Sequence, residues 1–199
     1  MVAHAAQLTR DITMGDTAQH VASLPDTFDC SALYDEALDG EAQAYCRDKQ
    51  TLYGIAANLQ VVHLHAGRVQ QVEWQLPSTQ AHVTAVLHGL RKDGYTYAHM
   101  TVMDDAVDHT LDVLASLPLL TTPSARDQLD QRMFTLANRG DFRTARTYYF
   151  VDRPTFSLAT QQTVTETISW LHAGTAPWVT VVAHEDMLSV TMHFPVHQR

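Results

Sequence analysis

Hydrophobic and polar residues alternate along several short segments of this chain, which is the pattern of half-buried β-strands. The runs NLQVVHLH and RVQQVEWQL flank an Ala-Gly pair, and this spacing predicts a β-hairpin. A closing hairpin is predicted where WVTVVAH and LSVTMHF flank Glu185 and Asp186. Single strands are predicted at 95–103 and within DFRTARTYYFV. These segments account for a sheet of about six strands.

Apolar positions three and four residues apart predict helices between the strands. One helix lies between Ser78 and Gly94, which carry the start and stop signals. Another begins at the N-cap residue Thr122, with Pro123 in its first turn. The pattern predicts three more helices, near 30–49, from Asp104 onwards and from Ser157 onwards.

The strands have one apolar and one polar face, and this property decides the fold class. At 95–103, Ala98, Met100 and Val102 alternate with Tyr97, His99 and Thr101. A sheet covered by helices on both sides would instead contain continuous apolar strands. We therefore expect an α+β two-layer sandwich, with a mixed, largely antiparallel sheet, helices on one face and an open polar face. Residues 1–25 are expected to form an N-terminal arm or peripheral helix, and 26–199 a single domain.

Composition and charge exclude several classes of protein. Thirteen basic and 22 acidic residues give a net charge of -9, which opposes binding to phosphate backbones, so no nucleic-acid partner is expected. No apolar run is long enough to span a membrane, so no membrane partner is expected either. The two cysteines, Cys30 and Cys46, form no CxxC motif. We interpret them as free thiols of a cytoplasmic protein.

His63 and His65 are two residues apart, so on a strand they project from the same face. Two neutral imidazoles can share a metal ion, which makes this pair a candidate metal site. The spacing also resembles the histidine-hydrophobe-histidine motif of rolling-circle replication nucleases and relaxases. That family has a helical tyrosine motif and a basic DNA surface, which this sequence lacks. The alternative for the pair is a role in packing or in an interface.

Asp104 and Asp105 follow the strand at 95–103 and are further candidate metal ligands. Carboxylates at the end of a strand can converge on Mg²⁺. The alternative is that they stabilise the start of the helix predicted there, since anionic groups favour the positive end of a helix dipole.

His99 and Thr101 are candidate catalytic residues. The segment HMTV is similar to one half of the signature of the 2H phosphoesterases. The resemblance implies that His99 acts as the general acid or base and Thr101 as a hydrogen-bond donor to phosphate. The family signature contains a second copy of the motif, and this sequence has none.

Arginine and tyrosine residues cluster near the strand DFRTARTYYFV. Arg143 and Arg146 precede Tyr148, and an arginine beside aromatic rings can bind an anion or form an interface core. With Tyr97 and His99 on the polar face, these residues are the predicted ligand-binding set.

Two functions remain open after the sequence is read. The first is a soluble cytosolic binding or regulatory protein that uses an open polar sheet face for a small ligand or for self-association into a homo-oligomer, without a cofactor. The second is a metal-assisted hydrolase or phosphoesterase that uses the strand histidines with Asp104 or Asp105.

Overall fold

The computed structural model of the chain describes residues 11–34, 42–104, 107–112, 122–139, 144–152, 154–156, 169 and 176–195. The strands are β1 (Thr27–Asp29), β2 (Ala42–Arg47), β3 (Thr51–Leu52), β4 (Ile55–Ala56), β5 (Leu59–His65), β6 (Arg68–Pro77), β7 (Tyr95–Asp104), β8 (Val107–Asp112), β9 (Ala145–Asp152), β10 (Trp178–His184) and β11 (Met187–His193). Within these residues, helices with defined bounds are α1 (Ala18–Ala22), α2 (Gln80–Lys92) and α3 (Pro123–Ala137), with a 3-10 helix at Ser31–Leu33.

Nine strands form one sheet in the order β1-β2-β5-β6-β11-β10-β9-β7-β8, and β3 and β4 form a separate hairpin. Every pairing between neighbours in the large sheet is antiparallel. The predicted α+β class with a largely antiparallel sheet is confirmed. The predicted count of about six strands is too low, because short strands β1, β2 and β8 extend both ends of the sheet.

Two predicted helices are wrong where the structure describes them. Within 30–49, residues Ala42–Arg47 form β2, which pairs with β5 so that Cys46 lies opposite Val61. After Asp104, residues Val107–Asp112 form β8, which pairs with β7. In both segments pairing with an apolar neighbouring strand outweighs the helical spacing of the apolar residues.

The strongest helix and hairpin signals are confirmed. Strands β5–β6 and β10–β11 form the two predicted hairpins. Helix α2 begins one residue later than predicted, because the Thr79 hydroxyl accepts a hydrogen bond from the His82 amide at 3.1 Å. Helix α3 begins after the predicted cap Thr122. The helix predicted from Ser157 onwards falls almost entirely outside the described residues.

One face of the large sheet, here called the helix face, packs against the helices and forms the main core. Val86 and Leu90 of α2 are fully buried there with strand residues such as Val72 and Val190. Val21 of α1 belongs to the same cluster. Gly89 is required where α2 crosses the Tyr53 ring, since a Cβ atom there would overlap the ring carbons.

The opposite face, here called the reverse face, carries the polar members of the alternating strands. The expectation that this face is open is wrong at its centre, because His99 is only 5% exposed and Ser189 and Thr191 are each 8% exposed. Alternation in sequence shows that a face is polar, but it does not show whether the face is in contact with water.

A disulfide joins Cys30 and Cys46, so the interpretation of these residues as free thiols is wrong. The bond connects the start of the 3-10 helix to β2 on the reverse face, where both cysteines are buried with Ala44 and Val61. The separation of sixteen positions in sequence gave no sign of this proximity, which arises because β1 pairs with β2.

Candidate ligand-binding cleft

A bulge in β7 separates the ligand-binding residues that the sequence placed together. Tyr97 lies opposite Phe150 and His99 lies opposite Tyr149, so Ala98 is an extra residue in the ladder. A bulge of this kind shifts the alternation of side chains by one position. Tyr97 therefore belongs to the helix face, whereas His99 belongs to the reverse face.

A cleft of about 680 Å³ lies on the helix face between α2, α3 and the sheet. We call it the α2–α3 cleft. It contains three of the predicted ligand-binding residues, Tyr97, Arg146 and Tyr148. Its apolar lining comes from both helices and two strands: Val83, Leu87, Met100, Met133, Phe134, Ala137 and Ala183. Arg143, the remaining arginine of the predicted set, lies outside the described residues.

Aromatic rings lie along the strand side of the cleft. The ring centres of Tyr97 and Tyr148 are 6.3 Å apart, and those of Tyr97 and Phe150 are 4.3 Å apart. Burial raises the pKa of Tyr97, and the neighbouring Tyr148 raises it further, while Arg91 acts in the opposite direction. Burial also raises the pKa of Tyr148. Both phenols are therefore neutral at physiological pH and can donate or accept hydrogen bonds.

Arg146 anchors the helix that closes one side of the cleft. Its Nε donates a hydrogen bond to the Ala137 carbonyl at 2.9 Å, and one terminal nitrogen donates to the Arg139 carbonyl at 2.8 Å. The other terminal nitrogen donates to the Thr144 carbonyl at 2.9 Å. The guanidinium thus donates hydrogen bonds to backbone carbonyls at the C-terminal end of α3, where the helix dipole is negative. This arrangement gives Arg146 a role in positioning α3, and ligand binding by Arg146 stays a prediction.

The polar end of the cleft is formed by the start of α2 and the β10–β11 turn. The Ser78 amide donates to the Asp186 carbonyl at 2.9 Å, which holds the turn against the helix start. Glu185 of this turn has a positive φ of 46° and lines the cleft with Asp186. Arg91 lines the cleft from α2. A cleft that combines apolar walls with charged groups of both signs suits an amphipathic molecule.

His99 and Thr101, the candidate catalytic pair, contact each other on the reverse face. His99 Nε2 lies 3.1 Å from Thr101 Oγ1. A second histidine, His193, lies on the same face. It was not recognised as a second copy of the motif, because Thr191 precedes it, whereas in the motif the histidine comes before the hydroxyl residue. His193 is on β11 and His99 is on β7, with β10 and β9 between these strands. Three strand spacings therefore separate the two histidines, a distance of about 14 Å across the sheet.

Aromatic rings fill the space between these two histidines. Trp178 stacks on His193 with ring centres 3.9 Å apart, and Tyr149 stacks on Trp178 at 5.7 Å. Tyr149 also contacts the edge of the His99 ring. A phosphate group spans only a few ångströms, so it cannot contact both histidines. The residues that the phosphoesterase resemblance implies are therefore not assembled into a two-histidine site.

The candidate metal ligands are also dispersed. Strand β5, which carries His63 and His65, is five strand spacings from β7, so these histidines lie about 24 Å from His99. His63 packs its ring against the edge of Tyr34. Among the residues that the structure describes, no group of three or more possible ligands could hold a metal ion.

The two candidate carboxylates can be placed only in part. Asp104 ends β7, and its backbone pairs with Val107. The segment that follows is a strand, so capping of a helix at this point, the alternative role for these acids, is wrong. The side chain of Asp104 and the whole of Asp105 lie outside the described residues.

A hydrogen-bonded carboxylate on the reverse face was missed by the sequence reading. Glu73 accepts a hydrogen bond from the Ser189 hydroxyl at 2.9 Å, and its other oxygen lies 3.7 Å from His63 Nε2. The serine donates to the carboxylate and not to the imidazole, so this is not the order of a hydrolytic triad. Only the pairing of β5 with β6 and of β6 with β11 brings these three residues together.

Comparison with family models, with curated proteins and with solved structures found no match for this chain. In the described part of the chain, none of the helices combines the length and the apolar character needed to cross a membrane.

Proposed function

We propose that this chain is a binding protein for a small amphipathic molecule and that the molecule occupies the α2–α3 cleft. The observation that carries the proposal is the concave space of about 680 Å³ described above, whose walls combine apolar side chains with polar and charged ones. Binding sites for small molecules are commonly clefts of roughly 300–1,000 Å³ with apolar walls and a few polar groups that fix orientation.

The walls of the cleft support the same conclusion. Phe134 of α3 faces this space although 66% of its surface is exposed, and Met133 lies beside it. A large exposed apolar side chain at the mouth of a cleft gains burial when a ligand binds. Methionine adapts to ligands of different shape because its side chain is flexible and polarizable.

The reverse face supports binding or self-association less well than the cleft does. Its central polar side chains, His99, Ser189 and Thr191, are already buried and bonded to neighbours. We therefore do not propose that face as the ligand site. The hydrolase alternative is also less favoured, because the strand histidines that it requires are separated by several strands.

Titration with the amphipathic dye anilinonaphthalene sulfonate tests the proposal. Thr84 is an exposed residue of α2 that lines the cleft, so Thr84→Trp fills the space with an indole. We expect this variant to bind the dye at least about tenfold more weakly than the parent chain, a loss of about 1.4 kcal/mol. Fluorescence and calorimetry would measure the affinity.

Gln128→Trp is the matched control, because Gln128 is exposed on α3 and does not line the cleft. It should bind the dye as the parent chain does. Equal affinities of both tryptophan variants and the parent chain would remove the cleft as the binding site, provided that all three proteins unfold at the same temperature.

The disulfide changes the cellular compartment in which we expect the protein to be found. The cytoplasm was expected from free cysteines, whereas disulfides persist mainly in oxidising compartments. We propose that the chain folds in such a compartment. Thiol quantification in denaturant, on protein purified from its native source under alkylating conditions, should detect no free thiol. Detection of two thiols per chain would contradict this location.

A further inference from the structure

A second cavity, of about 380 Å³, lies on the helix face at the other end of the sheet. We call it the Arg47 cavity. It is lined by Arg47, Gln60, Trp74, Lys49 and Asp11, together with the β3–β4 hairpin. A row of cross-strand partners runs from this cavity towards the cleft. Its members, on successive strands, are Arg47, Gln60, Trp74, Val190, Val181 and Tyr148. Five strand spacings, about 24 Å along the sheet, therefore separate Arg47 from Tyr148, which lines the α2–α3 cleft.

Arg47 is a buried cation whose hydrogen-bonding capacity is incompletely used. It is 3% exposed, and two contacts from described residues hold its guanidinium. One terminal nitrogen donates to Gln60 Oε1 at 3.0 Å, and the other lies 3.4 Å from Asp11 Oδ2. Its Nε–H is buried without an acceptor in the described part of the chain. Arginine has five N–H donors, and leaving buried donors unpaired is unfavourable.

The charge of Arg47 is also poorly compensated. Its nearest carboxylate, Asp11, has a side chain that is 53% exposed, so water weakens the pair. Burying a cation requires a close and well-shielded anion. Lys49, whose side chain is 78% exposed, adds a second positive charge at the edge of the cavity and pairs with Asp26 at 3.1 Å. The lining thus has two cations and one carboxylate, in a chain whose net charge is -9.

We propose that the Arg47 cavity is a second binding site, which takes the oxyanion end, a carboxylate or a phosphate, of a small molecule. Guanidinium binds either group through paired hydrogen bonds. Gln60 is 4% exposed, and its side-chain oxygen accepts a hydrogen bond from one terminal nitrogen of the guanidinium. Trp74 supplies an apolar wall that is 3% exposed. Asp11 occupies the position of the ligand's oxyanion when the cavity has no ligand, so it competes with binding.

The test is titration of the full chain with inorganic phosphate and, separately, with malonate, at constant ionic strength. Nitrogen–proton correlation spectra report on the Arg47 Nε–H and the Trp74 indole directly. We expect saturable shifts of both signals with at least one of the two anions. Phosphate and malonate together distinguish the two oxyanion classes. Absence of saturable shifts with both anions up to tens of millimolar would overturn the proposal.

Variants at two exposed positions, Lys49 and Asp11, test the proposal without replacing a buried side chain. Lys49→Gln removes the cation at the edge and should weaken binding about threefold. Asp11→Asn removes the competing carboxylate and should strengthen binding by a similar factor. Unchanged affinity in both variants would overturn the proposal, because a cavity that merely holds water predicts neither effect.

Arg47→Gln should abolish the shifts of the Trp74 indole. Arg132→Gln is the matched control, since Arg132 is exposed on α3 and lines neither this cavity nor the α2–α3 cleft. It removes the same charge and should leave the affinity unchanged. Retention of the parent affinity in a folded Arg47→Gln variant would assign the shifts to another site and contradict the proposal.

Discussion

Glu73 shows how a single buried carboxylate is stabilised in this fold. Burial alone would raise the pKa of Glu73, but proximity to His63 and hydrogen bonds from Ser189 and Gln75 outweigh burial, so the pKa is lowered. Because the folded-state pKa lies below the unfolded-state value, the carboxylate stabilises the folded state above the unfolded pKa. That contribution is lost as the pH falls through the folded-state pKa.

Glu73→Gln should therefore reduce the free energy of unfolding at neutral pH by about 1–2 kcal/mol, since the hydrogen bonds to a charged acceptor become bonds to a neutral one. The difference from the parent chain should shrink as the pH falls below about 4.3, the ordinary pKa of glutamate. Urea unfolding at several pH values measures it. Glu185→Gln, in the β10–β11 turn where the side chain is exposed, is the matched control and should change the free energy of unfolding at neutral pH by less than about 0.5 kcal/mol. An equal difference for Glu73→Gln at all pH values would contradict the stabilising role of the charge.

At the same scale, the sequence indicated candidate residues but did not indicate their surroundings. The sequence predicted ligand binding by Tyr97 and Tyr148, and the structure places both in one cleft on the helix face. It also placed His99 beside Tyr97, which the bulge at Ala98 prevents. Arg47 and Glu73 gave no signal, because their partners are distant in sequence and come from other strands.

At the scale of elements, local patterns succeeded where hydrophobic periodicity and capping agreed. Helix α3 has a capping threonine, a proline in its first turn and an apolar stripe, and it forms as predicted. The segments of β2 and β8 have helical spacing but form strands, because each can pair with an existing edge. Short strands at the edge of a sheet depend on their partner more than on their own sequence.

The disulfide acts at this scale by fixing β2 and the 3-10 helix relative to each other. Cys30→Ser with Cys46→Ser removes a crosslink between residues sixteen positions apart. We expect the free energy of unfolding to fall by about 3 kcal/mol, because the unfolded chain regains the freedom of the closed loop. Denaturant unfolding measures this loss.

Reductant supplies the control for this prediction. Treatment of the parent chain with a thiol should lower its stability towards that of the double variant, whereas the double variant should not respond. A parent chain that keeps its full stability after complete reduction would show that the crosslink contributes nothing.

At the scale of the whole molecule, the pairing of β6 with β11 joins two antiparallel groups of strands into one sheet. One group contains β1, β2, β5 and β6, and the other contains β11, β10, β9, β7 and β8. The junction is buried on both sides, since Val190 and Met192 lie in the core while Ser189 and Thr191 are buried on the reverse face. The centre of the sheet is therefore expected to be its most stable region.

Amide hydrogen exchange tests this expectation. Amides of β11 and β10 should exchange slowest, with protection approaching that of global unfolding, and the hydrogen-bonded amides of β1 and β8 should exchange fastest. All of these amides are measured in the same sample, so differences in pH cannot account for the result, and each rate is divided by the intrinsic exchange rate of that amide. Protection in β8 equal to that in β11 would contradict a stable centre with weaker edges.

The sequence by itself determined the α+β class, the two hairpins, and helices α2 and α3. These features depend on periodicity, capping and turn residues, which act within a few positions of the chain. Tertiary structure alone decided the nine-stranded order, the disulfide, the bulge at Ala98, the burial of the reverse face and the surroundings of Arg47 and Glu73. Each of these depends on which distant strands become neighbours, and the free energy of that choice comes from pairing and burial across the whole sheet.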